Sequence, residues 1–384
     1  MGLRPAATLV AIRVAFWAGA AAALTWAPAP ERRLIGDAYG PASDFLFRTF
    51  SQWDARWFLQ IAMHGYEEVP QAAAFFPVYP AVVHGVAWAT GSILVAGVLV
   101  SLASGAVAAW VLAQIARPLL GERGAHDAVL YFALYPVGFV LTSLYSDGLF
   151  LALSAGSFLA AMRRKPILAG VLGGLAVGTR PIGLALLPAL AVLLWNGRDA
   201  RSLGRLAPLL LLPAAVGLYA LYLDATISDP WAFMSAQADW SREASLLGPL
   251  EGIKDAVLAA GRGAHDLLDL PAGGPGHDQQ VGLWNLFHLG LLAAAAWLTW
   301  VAWRRLGAAF GAYSAATLAI ALTEPAEGFP LVSLPRFLLA DFPLFLALAS
   351  LTLERPRARD AVIAVFAALG AVAAAAFARG IWIA

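Results

Sequence analysis

The chain has 384 residues, of which 61% are hydrophobic and 13% charged, and its mean hydropathy is +0.73. A soluble domain of this length has too little interior to hide that much apolar side chain, so the composition reads as an all-α polytopic membrane protein. A net charge of +1 offers no basic face for nucleic acid, and the absence of cysteine excludes a disulfide framework or a thiolate metal site.

The apolar runs, in chain order, are 6–26, 93–115, 127–144, 147–162, 166–179, 182–196, 205–223, 281–303, 306–323, 336–353 and 361–379. They predict about eleven transmembrane helices, since a span needs roughly 20 apolar residues. No small-residue cleavage pattern follows the first run, which therefore reads as a retained helix and not a signal peptide. Pro181 separates the two short runs 166–179 and 182–196. A twelfth run, 77–89, is too short to span.

Lys and Arg mark the cytoplasmic side. The clusters Arg163-Arg164-Lys165, Arg198 with Arg201 and Arg205, Arg304-Arg305, and Arg355 with Arg357 and Arg359 fit one face if the intervening runs all cross. The N-terminus, with Arg4, is then inside and the C-terminus outside. Segment 27–92 is outside provided that 77–89 does not cross, so 77–89 is predicted as a half-buried or surface-lying helix on the outer face. Two outer loops are long, 27–92 and 224–280, and "PAGGPGHD" (271–278) reads as a flexible piece of the second. No internal repeat is visible, and residues 1–384 form one membrane domain.

The unusual polar residues gather on the outer face. In "SQWDARWFLQIAMHGY" (51–66), Asp54 lies between Trp53 and Trp57, residue types that settle at a membrane–water interface. A carboxylate held there is either the cap of a short helix ending at Gly65 or a general base, and the two roles are compatible. Arg56, His64 and Tyr66 accompany it. "AAFFPVYP" (73–80), with Phe76 and Tyr79, is a proline-punctuated turn or a platform for a lipid chain or sugar ring. "LYSDGLF" (144–150) puts Tyr145 and Asp147 in a tight outer turn, where Asp147 is a helix cap or a second acid.

Arg180 in "GTRPIG" and Arg336 in "SLPRFLLADFPLF" stand at the membrane boundary, where a charge either snorkels or has a partner. Asp341 and Arg13 lie inside apolar runs, and Arg13 is a candidate to pair with Asp341 or another buried acid. Carboxylates and arginines at one boundary suit a lipid-linked phosphosugar. Arginine matches phosphate oxygens and steadies the charge of a leaving phosphate, while a carboxylate takes the proton of an acceptor hydroxyl.

"QWDARWFLQIAMHGY" followed by "AFFPVYP" resembles the PIG-V family, the GPI mannosyltransferase II type, and its bacterial relatives among the GT-C class of membrane glycosyltransferases. "LYPVGFVLTSLYSDGLFLAL" (134–153), "AGVLGGLAVGTRPIGLALLPAL" (169–190) and "RFLLADFPLFLALA" (336–349) extend the resemblance in the same order. It implies a GT-C fold with a juxtamembrane helix in the first outer loop. It implies a polyprenyl-phosphate-linked sugar donor, mannose before others, transferred with inversion to a glycolipid or glycan acceptor at the outer face of a bacterial cytoplasmic (inner) membrane.

The catalytic Asp of the family maps to Asp54, its second acid to Asp147, and its donor-phosphate arginine to Arg180. Arg336 is a further phosphate candidate and Arg56 a third. Trp53, Trp57, His64, Tyr66, Phe76, Tyr79 and Tyr145 are candidates to contact substrate. No cofactor is expected and no metal, although Asp147, Asp239, Glu324 and Glu327 are the acids to watch on that face. A polyprenyl-lipid flippase or transporter, and a non-catalytic subunit of lipid-glycan assembly, are the other readings of the charge pattern.

Overall fold

The computed structural model describes residues 3–26, 51–195, 200–240, 248–268, 277–323 and 325–383. Among them the chain is all helical, with no strand. The helices are α1 (Arg4–Trp26), α2 (Ala55–His64), α3 (Val78–Thr90), α4 (Ile93–Leu134), α5 (Asp147–Met162), α6 (Pro166–Thr179), α7 (Leu186–Leu194) and α8 (Ala200–Leu206). They continue with α9 (Leu211–Ile227), α10 (Ala232–Ser235), α11 (Pro249–Asp266), α12 (His277–Arg305), α13 (Ala308–Ala321), α14 (Leu334–Ala340), α15 (Phe342–Thr352) and α16 (Pro356–Ala378). Short 3-10 turns at 136–141, 181–185 and 207–210 join several of them.

Each predicted apolar run overlaps a helix. Among the described residues, five helices are long and apolar enough to cross a membrane, or six when the bent pair α14–α15 counts as one span. The remaining apolar helices are shorter: Asp147–Met162, Pro166–Thr179, Pro181–Leu194 and Ala308–Ala321. The chain is thus a multi-pass membrane protein.

Two predicted runs, 93–115 and 127–144, have shifted boundaries. They lie in α4, which breaks at Gly121 (φ 69°), a left-handed conformation open to glycine. The second arm stops at Leu134 because Pro136 keeps Tyr135 extended (φ −51°, ψ 135°), and residues 136–141 are a 3-10 turn. The run 77–89 is α3, which buries Tyr79, Pro80 and Val83 and leaves Trp88 exposed. Prolines at the first helical turn start α6, α11 and α16, where the missing N–H costs nothing.

Close helix contacts use glycine. A Cβ on Gly170 of α6 would stand 2.2 Å from the Pro208 carbonyl oxygen, so only glycine admits that approach. The predicted outer loop 224–280 is largely helical: α11 packs on α12, with Gly263 against Gly282. Residues 27–50 of the first outer loop, most of 271–278, Glu324 and Arg198 lie outside the described residues, and nothing is described of the side chains of Arg201 and Asp239.

One feature of the fold directs chemistry. α14 and α15 meet at 77°, because Pro343 cannot continue the preceding helix and Asp341 leaves helical geometry (ψ 72°). The bend turns the Arg336 helix away from the line of α15, toward α2 and the start of α5.

Candidate functional site: an arginine–aspartate cluster

Four of the sequence-predicted residues meet. Asp54 precedes the first residue of α2, Asp147 is the first residue of α5, Arg180 follows α6, and Arg336 lies in the first turn of α14. Arg336 is the hub. Its Nη1 donates to Asp54 Oδ2 at 2.6 Å and its Nη2 to Asp147 Oδ2 at 3.1 Å. Arg180 Nη1 donates to the other oxygen of Asp147. Two carboxylates and two guanidiniums leave the cluster formally neutral, and Arg336 uses both arms of its planar fork.

Exposure separates the two acids. The Asp147 side chain is 1% exposed and held between both arginines, whereas the Asp54 side chain is 25% exposed. Of the two acids, Asp54 is therefore the one open to solvent, and Asp147 is closed off. Arg180 and Arg336 are 15% and 11% exposed, so each retains an edge for a ligand.

Neither acid is a helix cap by its side chain, which was the alternative reading of both. The Asp54 carboxylate is committed to Arg336 and that of Asp147 to the arginine pair, so the charge pairing outcompetes the backbone amides. Trp53, just before Asp54, has a left-handed backbone (φ 57°), an uncommon state for a residue with a Cβ and one that gathers at functional sites.

Tyr145 forms the wall of the cluster. Its ring centroid lies 4.9 Å from the Arg336 guanidinium carbon, and its hydroxyl donates to the Gln52 carbonyl at 3.2 Å. Behind it, Ser101 of α4 donates to the Tyr145 carbonyl at 3.0 Å, and the Tyr79 hydroxyl sits 2.8 Å from Ser101 Oγ. Tyr79 thus braces the turn that carries Asp147. Phe150 and Phe337 flank Arg180, each centroid 5.9 Å from its guanidinium carbon. Ser101, Gln52, Phe150 and Phe337 escaped the sequence reading. A serine or phenylalanine within an apolar run gives no signal there.

Other predicted residues lie apart from the ion pairs. Arg56 is exposed, 5.5 Å from the Trp57 ring, and His64 is exposed at the end of α2. Tyr66 and Phe76 are buried in a separate apolar cluster with Tyr219, against which Trp57 packs. The Tyr66 hydroxyl donates to the Phe75 carbonyl at 2.7 Å, and burial pushes its phenol well above the ordinary value, so it stays a neutral donor. The pair of Arg13 with Asp341 does not form: Ser314 Oγ donates to Asp341 Oδ1 at 2.6 Å, and Arg13 lies against Phe16. Among the acids considered for a metal, Glu327 is described but Glu324 and the Asp239 side chain are not.

Residues 40–197 match the family model described as Mannosyltransferase (PIG-V). The GPI alpha-1,6-mannosyltransferase 2 of Cricetulus griseus is 32% identical over 145 residues. That match covers 35% of this chain and 29% of the relative's length. No solved structure matches the chain. Asp54, Asp147 and Arg180 lie within the matched stretch and Arg336 beyond it. The likeness to the PIG-V family thus rests on residues 40–197, and the chain spans less than a third of the length of the curated relative it matches.

Proposed function

We propose that this protein transfers mannose from a polyprenyl-phosphate-linked donor to a glycolipid or glycan acceptor at the outer face of a bacterial cytoplasmic membrane. The observation that carries the reading is the fork of Arg336 between Asp54 and Asp147, with Arg180 on the far side of Asp147. The family match supports the sugar, and the cluster's chemistry supports the phosphate-linked donor.

In this reading the donor phosphate lies against Arg180 and Arg336. The acceptor hydroxyl oxygen attacks the anomeric carbon from the opposite face, so the configuration inverts. Its proton passes to Asp54. The bond from the anomeric carbon to the phosphate oxygen breaks, and its electron pair stays on the phosphate, where the arginines meet the added charge. The phosphate leaves as a stable anion and needs no general acid, so the step proceeds without a metal and a chelator leaves the rate unchanged. Asp147 acts through the arginines: it holds both guanidiniums at the spacing the phosphate requires.

The phosphate also competes with Asp54 for Arg336. Donor binding draws the guanidinium off Asp54 and leaves the carboxylate free to accept a proton, so the donor prepares the base. With the two arms of α4 on either side of Gly121 counted separately, the shorter apolar helices complete the eleven-span arrangement in this reading, with the N-terminus and the basic turns inside and the cluster outside.

The test uses purified protein in lipid, polyprenyl-phosphate mannose and a panel of glycolipid acceptors. Transfer, or slow donor hydrolysis, that disappears in a folded Asp54→Asn variant supports the reading. Equal rates in both proteins remove Asp54 from the chemistry. Lipid translocation without sugar transfer would instead identify a flippase.

A further inference from the structure

A second buried arginine stands outside the cluster. Arg13 lies within α1 and is 1% exposed. Its Nε and Nη2 have no hydrogen-bond partner, and it has no carboxylate partner among the described residues. A guanidinium does not lose its proton at physiological pH, so burial cannot neutralise it. Such a charge within a membrane helix is strongly unfavourable unless something compensates it. Its ring contact with Phe16, at 4.7 Å, offers only part of that.

Arg13 borders a cavity of about 20 Å³ between α1, the 136–141 turn and α16. The space admits one or two oxygen-sized atoms and excludes a sugar ring. Thr142 and Ser143 line it, and their hydroxyls donate to the Phe139 carbonyl, at 2.9 and 3.0 Å. Either can turn its proton toward an anion instead. The rest of the wall is Phe16, Trp17, Phe139, Phe377 and alanines, and is apolar. Gly138 adds to the fit: a Cβ there would stand 2.5 Å from Arg13 Nη1, so glycine leaves the guanidinium its place.

We propose that Arg13 and this cavity form a phosphate site separate from the arginine–aspartate cluster, taking the oxygens of an anionic lipid headgroup or of free phosphate. The apolar wall favours the lipid source. The site lies one aromatic ring behind the cluster: Phe377 stacks on Phe139 at 4.4 Å and lies 6.0 Å from Tyr145, the ring that supports Arg336. The inference stands without the transferase reading.

The experiment compares the melting temperature of wild type and Arg13→Met in bilayer discs of phosphatidylcholine, then with phosphatidic acid added, then with inorganic phosphate added. In phosphatidylcholine alone, Arg13→Met should melt at or above wild type, because an uncompensated charge has gone. Phosphatidic acid should raise the wild-type melting temperature and leave the variant unmoved. A rise with inorganic phosphate as well would assign the site to free phosphate. No rise in wild type with either phosphate, or an equal rise in both proteins, overturns the site. Should Arg13→Met not fold, Arg13→Lys keeps the charge without the fork and should lose at least half of the rise; a full rise there also overturns it.

Discussion

The Arg336 guanidinium donates to the Asp54 carboxylate across 2.6 Å, although 282 positions separate the two residues. The helix that begins beside Asp54 makes no use of that carboxylate as a cap. Asparagine keeps the shape and an oxygen for Arg336 but cannot take a proton. Asp54→Asn is therefore expected to fold and melt close to wild type while sugar transfer falls by about 10²–10⁴-fold, the usual share of a general base. The check pairs a transfer assay with a melting curve on the same preparation. Unchanged transfer would assign the base elsewhere.

Asp147 should behave in the opposite way. It is 1% exposed and compensates two guanidiniums at once. Asp147→Ala leaves Arg180 without its ion-pair partner and Arg336 with Asp54 alone. Breaking a buried pair from one side costs about 3–5 kcal/mol. The melting temperature in lipid should fall far more for Asp147→Ala than for Asp54→Asn. Similar losses for the two would mean that the network does not depend on Asp147.

Tyr145 offers a finer comparison. Tyr145→Phe removes the bond to the Gln52 carbonyl but leaves a ring under Arg336. One such hydrogen bond is worth about 0.5–1.5 kcal/mol, and activity should survive. Tyr145→Leu takes the aromatic face away from the guanidinium, and transfer should drop well below that of the Phe variant. If the two variants transfer equally, the ring has no part in placing Arg336.

The four members of the cluster were legible in the sequence because each is a charge in an apolar neighbourhood, and such a charge is rarely idle. Their meeting was not legible. It depends on the 77° turn between α14 and α15 and on the stop of α4 before Pro136, which are tertiary outcomes of two prolines. Proximity in sequence misled where a helix face intervened: Arg56 lies two positions from Asp54 yet faces outward. The aromatic turn around Phe76 looked like a substrate platform, but its rings pack on Tyr219 and Phe233, contacts set by the distant α9 and α10. Ser101 and Gln52 act through hydrogen bonds with Tyr145, and no pattern in the sequence announces those.

Gly148 ties the site to the packing of the membrane helices. A Cβ at this position would stand 2.6 Å from the Ser101 carbonyl oxygen and 3.2 Å from the Gly105 nitrogen. Both are backbone atoms of α4, so neither can swing aside as a side chain would. Gly148→Ala must separate the start of α5 from α4, and overpacking of this kind costs about 1–3 kcal/mol. The displacement falls on the residue after Asp147, so it also shifts the carboxylate that aligns Arg180 and Arg336. Gly156→Ala on the same helix is the comparison, since its nearest neighbour is the tip of Leu172, a flexible side chain, at 3.3 Å. Gly148→Ala is expected to lower both the melting temperature and the transfer rate, and Gly156→Ala to leave both near wild type. Matching values for the two variants would show that the approach of α5 to α4 does not set the geometry of the cluster.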